Sequence, residues 1–451
     1  MASSQDMVRV GSPIDLFYYD ADTMKKQAHS TTQNTRFQQS FNNTNLTGGS
    51  STFTFPPTNG LQDVVLAIQL PSIASNMSGV NLGSAWGYGL IRQVSFRYGG
   101  SSQYFLQGSQ LLELAISAQP NRESAQAIVD LGGTPVIGDN AAGLYSSWNN
   151  PLGNYAYVVL TLPHSSPSAV GKSHPFPTDL LTQLCQFTVE LNPLNSLTST
   201  TTAGLALEVA AFQANPTYAS AVAQFQQVML NNQGDALARR MDMSVNAYAF
   251  PCTFVQQLFQ SPLPSNAATS QSISLTGFKA GEVKEIHIWL TDTASSVGAA
   301  VAGVNNPNWW YLPQSVTMTY AGDIYARFEN RSSQIWNLVN GNKPNYVVLQ
   351  GFSGGAGSAL TTQSAPVAAA TTASPVVVGQ PGIQWVVLPF AQTLVDEDSH
   401  YTLVHGKPIT NGIVQLQITP PYTTTGSWIV NVSYVLNSTL LMSMGTADFV
   451  F

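Results

Sequence analysis

Val94-Ser95-Phe96-Arg97-Tyr98-Gly99-Gly100 decides how this chain is read, because the sequence echoes it at Val316-Thr317-Met318-Thr319-Tyr320-Ala321-Gly322. Both stretches alternate in the manner of a half-buried strand and end in a tyrosine and a small-residue turn. They lie 316 − 94 = 222 residues apart in a chain of 451. An echo at that distance predicts one fold used twice.

Working outward, further segments repeat in the same order. Phe37–Phe41 meets Val255–Phe259 at 255 − 37 = 218, and Phe53 meets Leu275 at 275 − 53 = 222. Val64, Leu66 and Ile68 meet Ile286, Ile288 and Leu290, again at 222 (286 − 64). Ser109–Ala115 meets Ser333–Val339 at 333 − 109 = 224, and Tyr157–Leu160 meets Trp385–Leu388 at 385 − 157 = 228. Phe187, Val189, Leu191 and Pro193 meet Val414, Leu416, Ile418 and Pro420 at 414 − 187 = 227. Each match alone is weak, since strands resemble one another; their common order carries the repeat.

The spacing of strand and turn signals divides the chain. Residues 1–29 show no sustained period and read as an N-terminal arm. Residues 30–214 form a first unit, with strands at Phe37–Phe41, Thr52–Phe55, Val64–Leu70, Leu90–Tyr98, Tyr157–Leu162, Gln186–Leu191 and Leu205–Ala211, and a short helix over Gln107–Ser117. In 215–246, Pro216 followed by Tyr218, Val222, Phe225, Val228 and Met229 at helical spacing predicts a linker helix over Thr217–Leu230. Residues 247–451 form the second unit. Three long segments, 119–154, 292–309 and 340–384, read as excursions, the last containing the Ala/Thr/Ser/Pro tract Ala365–Ala373. Short antiparallel strands joined by alternating tight and long connections predict an all-β chain of two tandem eight-stranded antiparallel jelly rolls, a double jelly roll with short helices and long loops.

Composition narrows the function classes. Charged residues are 9% of the chain, against about a quarter ordinarily, which suits close packing against neighbours, where a buried charge carries a desolvation cost. Net charge is −7 with no dense Lys/Arg cluster, which argues against direct nucleic-acid binding. Met1–Arg9 holds no apolar h-region, so no signal peptide is expected, and no run reaches membrane-spanning length. Cys185 and Cys252 sit in apolar strand context and read as buried free thiols rather than a disulfide. The sequons at Asn42, Asn45, Asn76, Asn330, Asn431 and Asn437 read as by-products of an Asn/Thr-rich composition.

The chain resembles the double jelly-roll major capsid proteins of double-stranded DNA viruses, in the lineage of nucleocytoplasmic large DNA viruses and virophages. The resemblance rests on Phe53–Pro71, on Ile91–Gly100 followed by Gly108-Ser109-Gln110-Leu111, and on Leu388–Ala391, Asn411–Ile418 and a strand running to the C-terminus. It implies a non-enzymatic major capsid protein that assembles as homotrimeric, pseudo-hexagonal capsomers of an icosahedral shell, made inside the host cell and located in the virion. It also implies contacts with neighbouring capsomers, with minor capsid and penton proteins, and with an internal membrane through residues 1–29. The excursions would build an outer tower.

The histidines, His29, His164, His174, His287, His400 and His405, include no His-x-His or His-Glu-x-x-His spacing, and no Cys-x-x-Cys occurs, so no metal site, catalytic residue or cofactor is expected. His287 alternates with Ile286 and Ile288 and reads as a solvated or satisfied strand histidine facing away from the core. Asp396-Glu397-Asp398-Ser399-His400 reads as an exposed turn, lacking the glycine of a calcium loop. Gly351–Gly357 lacks the Lys-Ser/Thr of a phosphate loop. Trp309-Trp310-Tyr311 reads as buried at a roll's end or a subunit contact, with sugar stacking as the alternative. That alternative defines the second hypothesis, a jelly-roll carbohydrate-binding or host-attachment protein; a glycosidase or copper hydroxylase on tandem jelly rolls is the third.

Overall fold

The computed structural model describes residues 30–40, 50–55, 57–69, 80–81, 85–99, 103–117, 119, 122–137, 145–149, 155–163, 176–192, 199–200, 220–230, 241, 247–278, 282–292, 310–329, 385–389, 392–394, 403–405, 407–408, 414–424 and 426–450. The first half runs through β1 (Ser30–Ser40), β2 (Ser50–Thr54), β3 (Gly60–Gln69), β4 (Val80–Asn81), helix α1 (Trp86–Leu90), β5 (Ile91–Tyr98) and β6 (Gln103–Gln107). Helices α2 (Gly108–Ser117) and α3 (Arg122–Leu131) follow, then β7 (Thr134–Ile137), β8 (Tyr145–Asn149), β9 (Tyr155–Leu160), β10 (Cys185–Leu191), β11 (Ser199–Thr200) and β12 (Ser220–Leu230). The second half begins with β13 (Tyr248–Pro262), β14 (Gln271–Leu275), β15 (Glu282–Asp292), β16 (Ser315–Tyr320) and β17 (Asp323–Glu329). It continues with β18 (Val386–Pro389), β19 (Gln392–Leu394), β20 (Leu403–His405), β21 (Lys407–Pro408), β22 (Val414–Thr419), β23 (Trp428–Ser443) and β24 (Thr446–Val450).

The first half folds into sheets ordered β1-β12-β3-β9 and β2-β10-β5-β6; the second into β13-β23-β15-β18 and β14-β22-β16-β17, with β21 added on β15 and β24 on β23. Counting only the strands of these main sheets, each half has the order 1-8-3-6 and 2-7-4-5, the jelly-roll arrangement, and all neighbours are antiparallel. Burial follows the alternation read from sequence: Ile91, Val94, Phe96 and Tyr98 of β5 point inward while Arg92 and Arg97 are exposed. Between the first pair of sheets, Phe187 stacks on Phe53 at 4.7 Å and meets Phe96 at 6.2 Å.

Pairing registers fix which residues are equivalent. Val94 pairs with Val189, and Val316 with Ile418, so Val189 corresponds to Ile418 at 418 − 189 = 229 rather than 227. Phe187 pairs with Phe53, and Leu416 with Ile273, so Phe53 corresponds to Ile273 at 273 − 53 = 220 rather than to Leu275. Both corrections are slips of two residues. A strand's side chains repeat with period two, so such a slip keeps every residue on its face and leaves the hydrophobic pattern unchanged. For β1, the chain of partners Phe37–Ala223–Leu66 and Phe259–Val432–Ile288 sets the offset at 259 − 37 = 222 instead of 218. The offsets for Val64 and for Tyr157 stand together: Val64 pairs with Leu160 as Ile286 pairs with Leu388.

Two further expectations are corrected. The linker helix expected in 215–246 is a strand over Ser220–Leu230, paired along its whole length with β1 and also with β3. Its composition suits either period, and partners far away in sequence satisfy its backbone groups from both sides, which decides for the strand. The excursion 119–154 is not simply a loop: it holds α3, whose Ala125 and Val129 are buried, and the β7–β8 hairpin. The helix expected over Gln107–Ser117 is α2; its counterpart Ser333–Val339, the strand Leu205–Ala211, the arm 1–29 and residues 293–309 and 340–384 lie outside the described residues.

The strand-end turn recurs in both halves. Gly99 ends β5 with φ 64°, and Ala321, 321 − 99 = 222 residues on, ends β16 with φ 53°. An alanine in the left-handed region carries a cost of about 1–2 kcal/mol that glycine avoids. Ala321→Gly is therefore expected to raise stability by up to about 1 kcal/mol after the unfolded-chain entropy offset. Gly99→Ala, whose added Cβ would lie 2.8 Å from the Gln183 carbonyl oxygen, should lower it by more than 1 kcal/mol, roughly. Urea unfolding of the two variants beside the parent chain reads both.

Candidate functional site

Burial departs from strand alternation in one place. Along β15 every residue from Ile286 to Asp292 is buried, and along β23 every residue from Val430 to Leu436. Ile286, Ile288 and Leu290 pair with Tyr434, Val432 and Val430 on the core side; His287, Trp289, Asn431 and Ser433 occupy the other face. At His287 and Ser433 that second face meets Glu113 of the first half, part of a seam between the two rolls, while Trp289 packs on Trp310 of its own roll.

Helix α2 supplies part of the cover. Its stretch Leu111-Leu112-Glu113-Leu114-Ala115-Ile116 is buried throughout, with apolar residues all round the helix. Such a helix must be enclosed on more than one side. Glu113, fully buried, faces His287 Nδ1 and accepts from the Ser433 hydroxyl at 3.4 Å. His287 Nε2 lies 3.4 Å from the Glu285 carboxylate. The imidazole thus faces away from its strand's core residues as expected, but it is not solvated: the first roll buries it. Burial pushes its pKa down to about 3, holding it neutral. A single carboxylate within an apolar helical run, and a histidine within an apolar strand, were the sequence signals; nothing local said that they meet.

Strand β6 supplies the rest. Tyr104 packs on Phe254 at 4.6 Å and Phe449 at 5.8 Å, and its hydroxyl accepts the Val255 N–H at 3.0 Å. Burial raises the Tyr104 pKa, so the phenol stays protonated. Phe176 meets Phe250 at 5.2 Å and Tyr98 meets Phe449 at 6.0 Å. At the margin the Gly445 carbonyl oxygen accepts from the Thr182 N–H at 2.8 Å and from its hydroxyl at 3.0 Å. Gly445 has φ 80°, and a Cβ there would lie 2.4 Å from Thr182 Cγ2, so glycine is needed twice over.

The other candidates resolve as follows. Trp310 is fully buried, stacked on Trp289 at 4.9 Å and edge-on to Trp385 at 5.8 Å, while Tyr311 packs edge-on to Trp428 at 5.2 Å. Neither offers a ring face to a sugar. Cys185 and Cys252 are free and buried, and burial pushes both thiols up to about 12. Asn431 is buried with its amide 3.4 Å from the Thr291 hydroxyl, which excludes a glycan there in the folded chain. No cluster able to hold a metal ion occurs among the described residues. Trp309, Asp396–His400, Gly351–Gly357, His29, His164 and His174 lie outside them, and of His405 the backbone alone is described, in β20. Apolar exposure on the second roll includes Ile324 and Tyr325 of β17, 69% and 37% exposed.

No protein-family model and no curated protein sequence matches the chain. Solved structures do. PBCV-1 VP54, as fitted into a reconstruction of the virophage Sputnik, is similar with a TM-score of 0.59 at 11% identity, over 94% of this chain and 97% of that one. The Faustovirus major capsid protein is similar with a TM-score of 0.52 at 10% identity, over 92% and 91%, and the mavirus major capsid protein with 0.51 at 9%, over 100% and 93%. At such identities the likeness is one of fold, and it identifies the chain's fold as the double jelly roll.

Removal of the Tyr104 hydroxyl leaves the Val255 N–H buried without its acceptor. Tyr104→Phe should lower stability by about 1–3 kcal/mol, and Tyr104→Ala by about 3–5 kcal/mol. Amide exchange at Val255 should quicken in both, which separates loosening of the seam from a change elsewhere.

Proposed function

We propose that this chain is a non-enzymatic major capsid protein that self-assembles as homotrimeric, pseudo-hexagonal capsomers of an icosahedral virus shell. The single observation that carries the reading is the end-to-end likeness in fold to viral major capsid proteins. On this reading the chain divides into an arm (1–29), two rolls and a connection between them, the first roll extended beyond 214 to include β12. The excursions form the outer face, the arm contacts minor capsid proteins or an internal membrane, and the virion is where the protein resides.

The seam supports assembly by trimers. It is head-to-tail: β6 and α2 of the first roll meet β13, β15, β23 and β24 of the second. Because the rolls share one topology, the second roll carries the counterpart of the donating side at β17, and the first carries the counterpart of the receiving side at β1, β12 and β3. A heterologous contact of this kind can repeat from copy to copy, giving a ring when its rotation closes and a filament when it does not; the trimer proposed here is the closed case. Three chains of two rolls supply six similar corners.

Light scattering at micromolar concentration should give a species three times the 48.2 kDa chain mass; a stable monomer would count heavily against the proposal. Ile324→Asp, at the exposed edge of the donating side, should weaken trimerisation by at least about 2 kcal/mol. The sugar-binding alternative has lost Trp310 as a platform. Trp310→Ala should destabilise the chain by about 3–5 kcal/mol, and a glycan array with the parent chain should show no specific binding.

A further inference from the structure

One buried ionisable cluster lies within the seam between the rolls. Glu113 comes from α2 of the first roll, His287 and Glu285 from β15 of the second. Among the described residues, the strands on either side of His287 set Ser433 (β23) and Val387 (β18) in register with it, neither of them titratable. Glu113 Oε1 and both ring nitrogens make no hydrogen bond of ordinary geometry among the described residues, so the two carboxyl groups are what the imidazole faces.

A neutral imidazole donates from one nitrogen and accepts at the other. Here each nitrogen faces a carboxyl group, so one of the two carboxyls must bring a proton of its own. Glu285 has a side chain 31% exposed and can stay ionised against water, whereas the Glu113 side chain is fully enclosed. An enclosed carboxylate is costly unless fully compensated, and its one further donor is the long contact from Ser433. The satisfied arrangement has the Glu113 O–H donating to Nδ1 and Nε2–H donating to Glu285.

We propose that Glu113 holds a proton for His287 only while the seam is closed, so that the two rolls are clamped by proton uptake and the seam loosens as the solution turns alkaline. The inference concerns one chain and stands whether or not that chain builds a shell.

Proton counting sets the window. The closed pair holds two protons, one on Glu113 and one on the neutral ring. Once separated, the histidine titrates at 6.5 and the glutamate near about 4.3. Above pH 6.5 the separated pair therefore holds one proton, and stability falls as pH rises. Between about 4.3 and 6.5 the counts are equal, because the lowered ring pKa, which by itself costs stability as pH falls below 6.5, is offset by the Glu113 proton. Below about 4.3 the offset ends, and stability falls with pH down to about 3, the ring's value in the closed seam.

The test compares urea unfolding of the full chain with that of Glu113→Gln, whose amide N–H replaces the shared proton and does not titrate. Between pH 6.5 and 8 the unfolding constant of the parent should rise about tenfold per pH unit relative to the variant. A ratio that stays flat, or moves the other way, overturns the proposal. Should Glu113→Gln fail to fold, infrared spectra of the parent at pH 8 decide: a carboxylic-acid C=O stretch shifting in D2O supports it, and absence of that band refutes it.

Discussion

Closure of each roll by a strand that arrives last is the constraint on which the structure depends. β12 inserts between β1 and β3, and β23 between β13 and β15, so the first and last strands of each roll pair across 230 − 30 = 200 and 442 − 248 = 194 positions of sequence (Ser30 with Leu230, Tyr248 with Met442). The backbone groups of those central strands have no local partners, and burial without pairing would cost heavily. Closure at such separation also carries a large entropic term before any contact rewards it. The sandwich interiors, with Phe53, Phe96 and Phe187 gathered between sheets, offset that term.

The seam adds a second layer of constraint. A jelly-roll sheet ordinarily buries one face and wets the other, and β9 keeps that pattern, with alternating buried and half-buried residues. Over Ile286–Asp292 of β15 and Val430–Leu436 of β23 both faces are buried, and at His287 and Ser433 the outer face meets the first roll. Aromatic packing around Tyr104 and Phe449 provides bulk, while the Tyr104–Val255, Thr182–Gly445 and Glu113–His287 contacts fix one relative position of the rolls. Directional polar contacts within an apolar seam penalise every other register, since a shifted register would leave them buried and unmatched.

The same two-roll design explains the sparse charge. A surface made largely of neutral polar residues can be covered by neighbours with little desolvation cost, and the internal seam is already an example of such covering. Where charge does occur on the described surface it is often paired locally, as in Arg92–Glu190 and Arg327–Glu329. Exposed pairs of this kind contribute little to stability and leave the faces free to pack.

Much of the fold was legible in the sequence because a strand's in-and-out alternation and its terminal glycine are local properties. The Val94–Gly100 and Val316–Gly322 echo, the inward residues of β5 and β10 and the helix after β6 all follow from neighbours within a few residues. Register was not legible to better than two residues, since a two-residue slip keeps every side chain on its face, as the pairings of Phe53 and Val189 demonstrate. Nor was the state of Ser220–Leu230, whose apolar residues fit a helix until β1 and β3 bracket it. The meeting of Glu113 with His287 joins residues 287 − 113 = 174 positions apart on different rolls. By itself, then, the sequence determined a tandem all-β chain with its core faces. Tertiary structure alone decided register, the identity of the closing strand and the seam, because each depends on partners brought together only by folding.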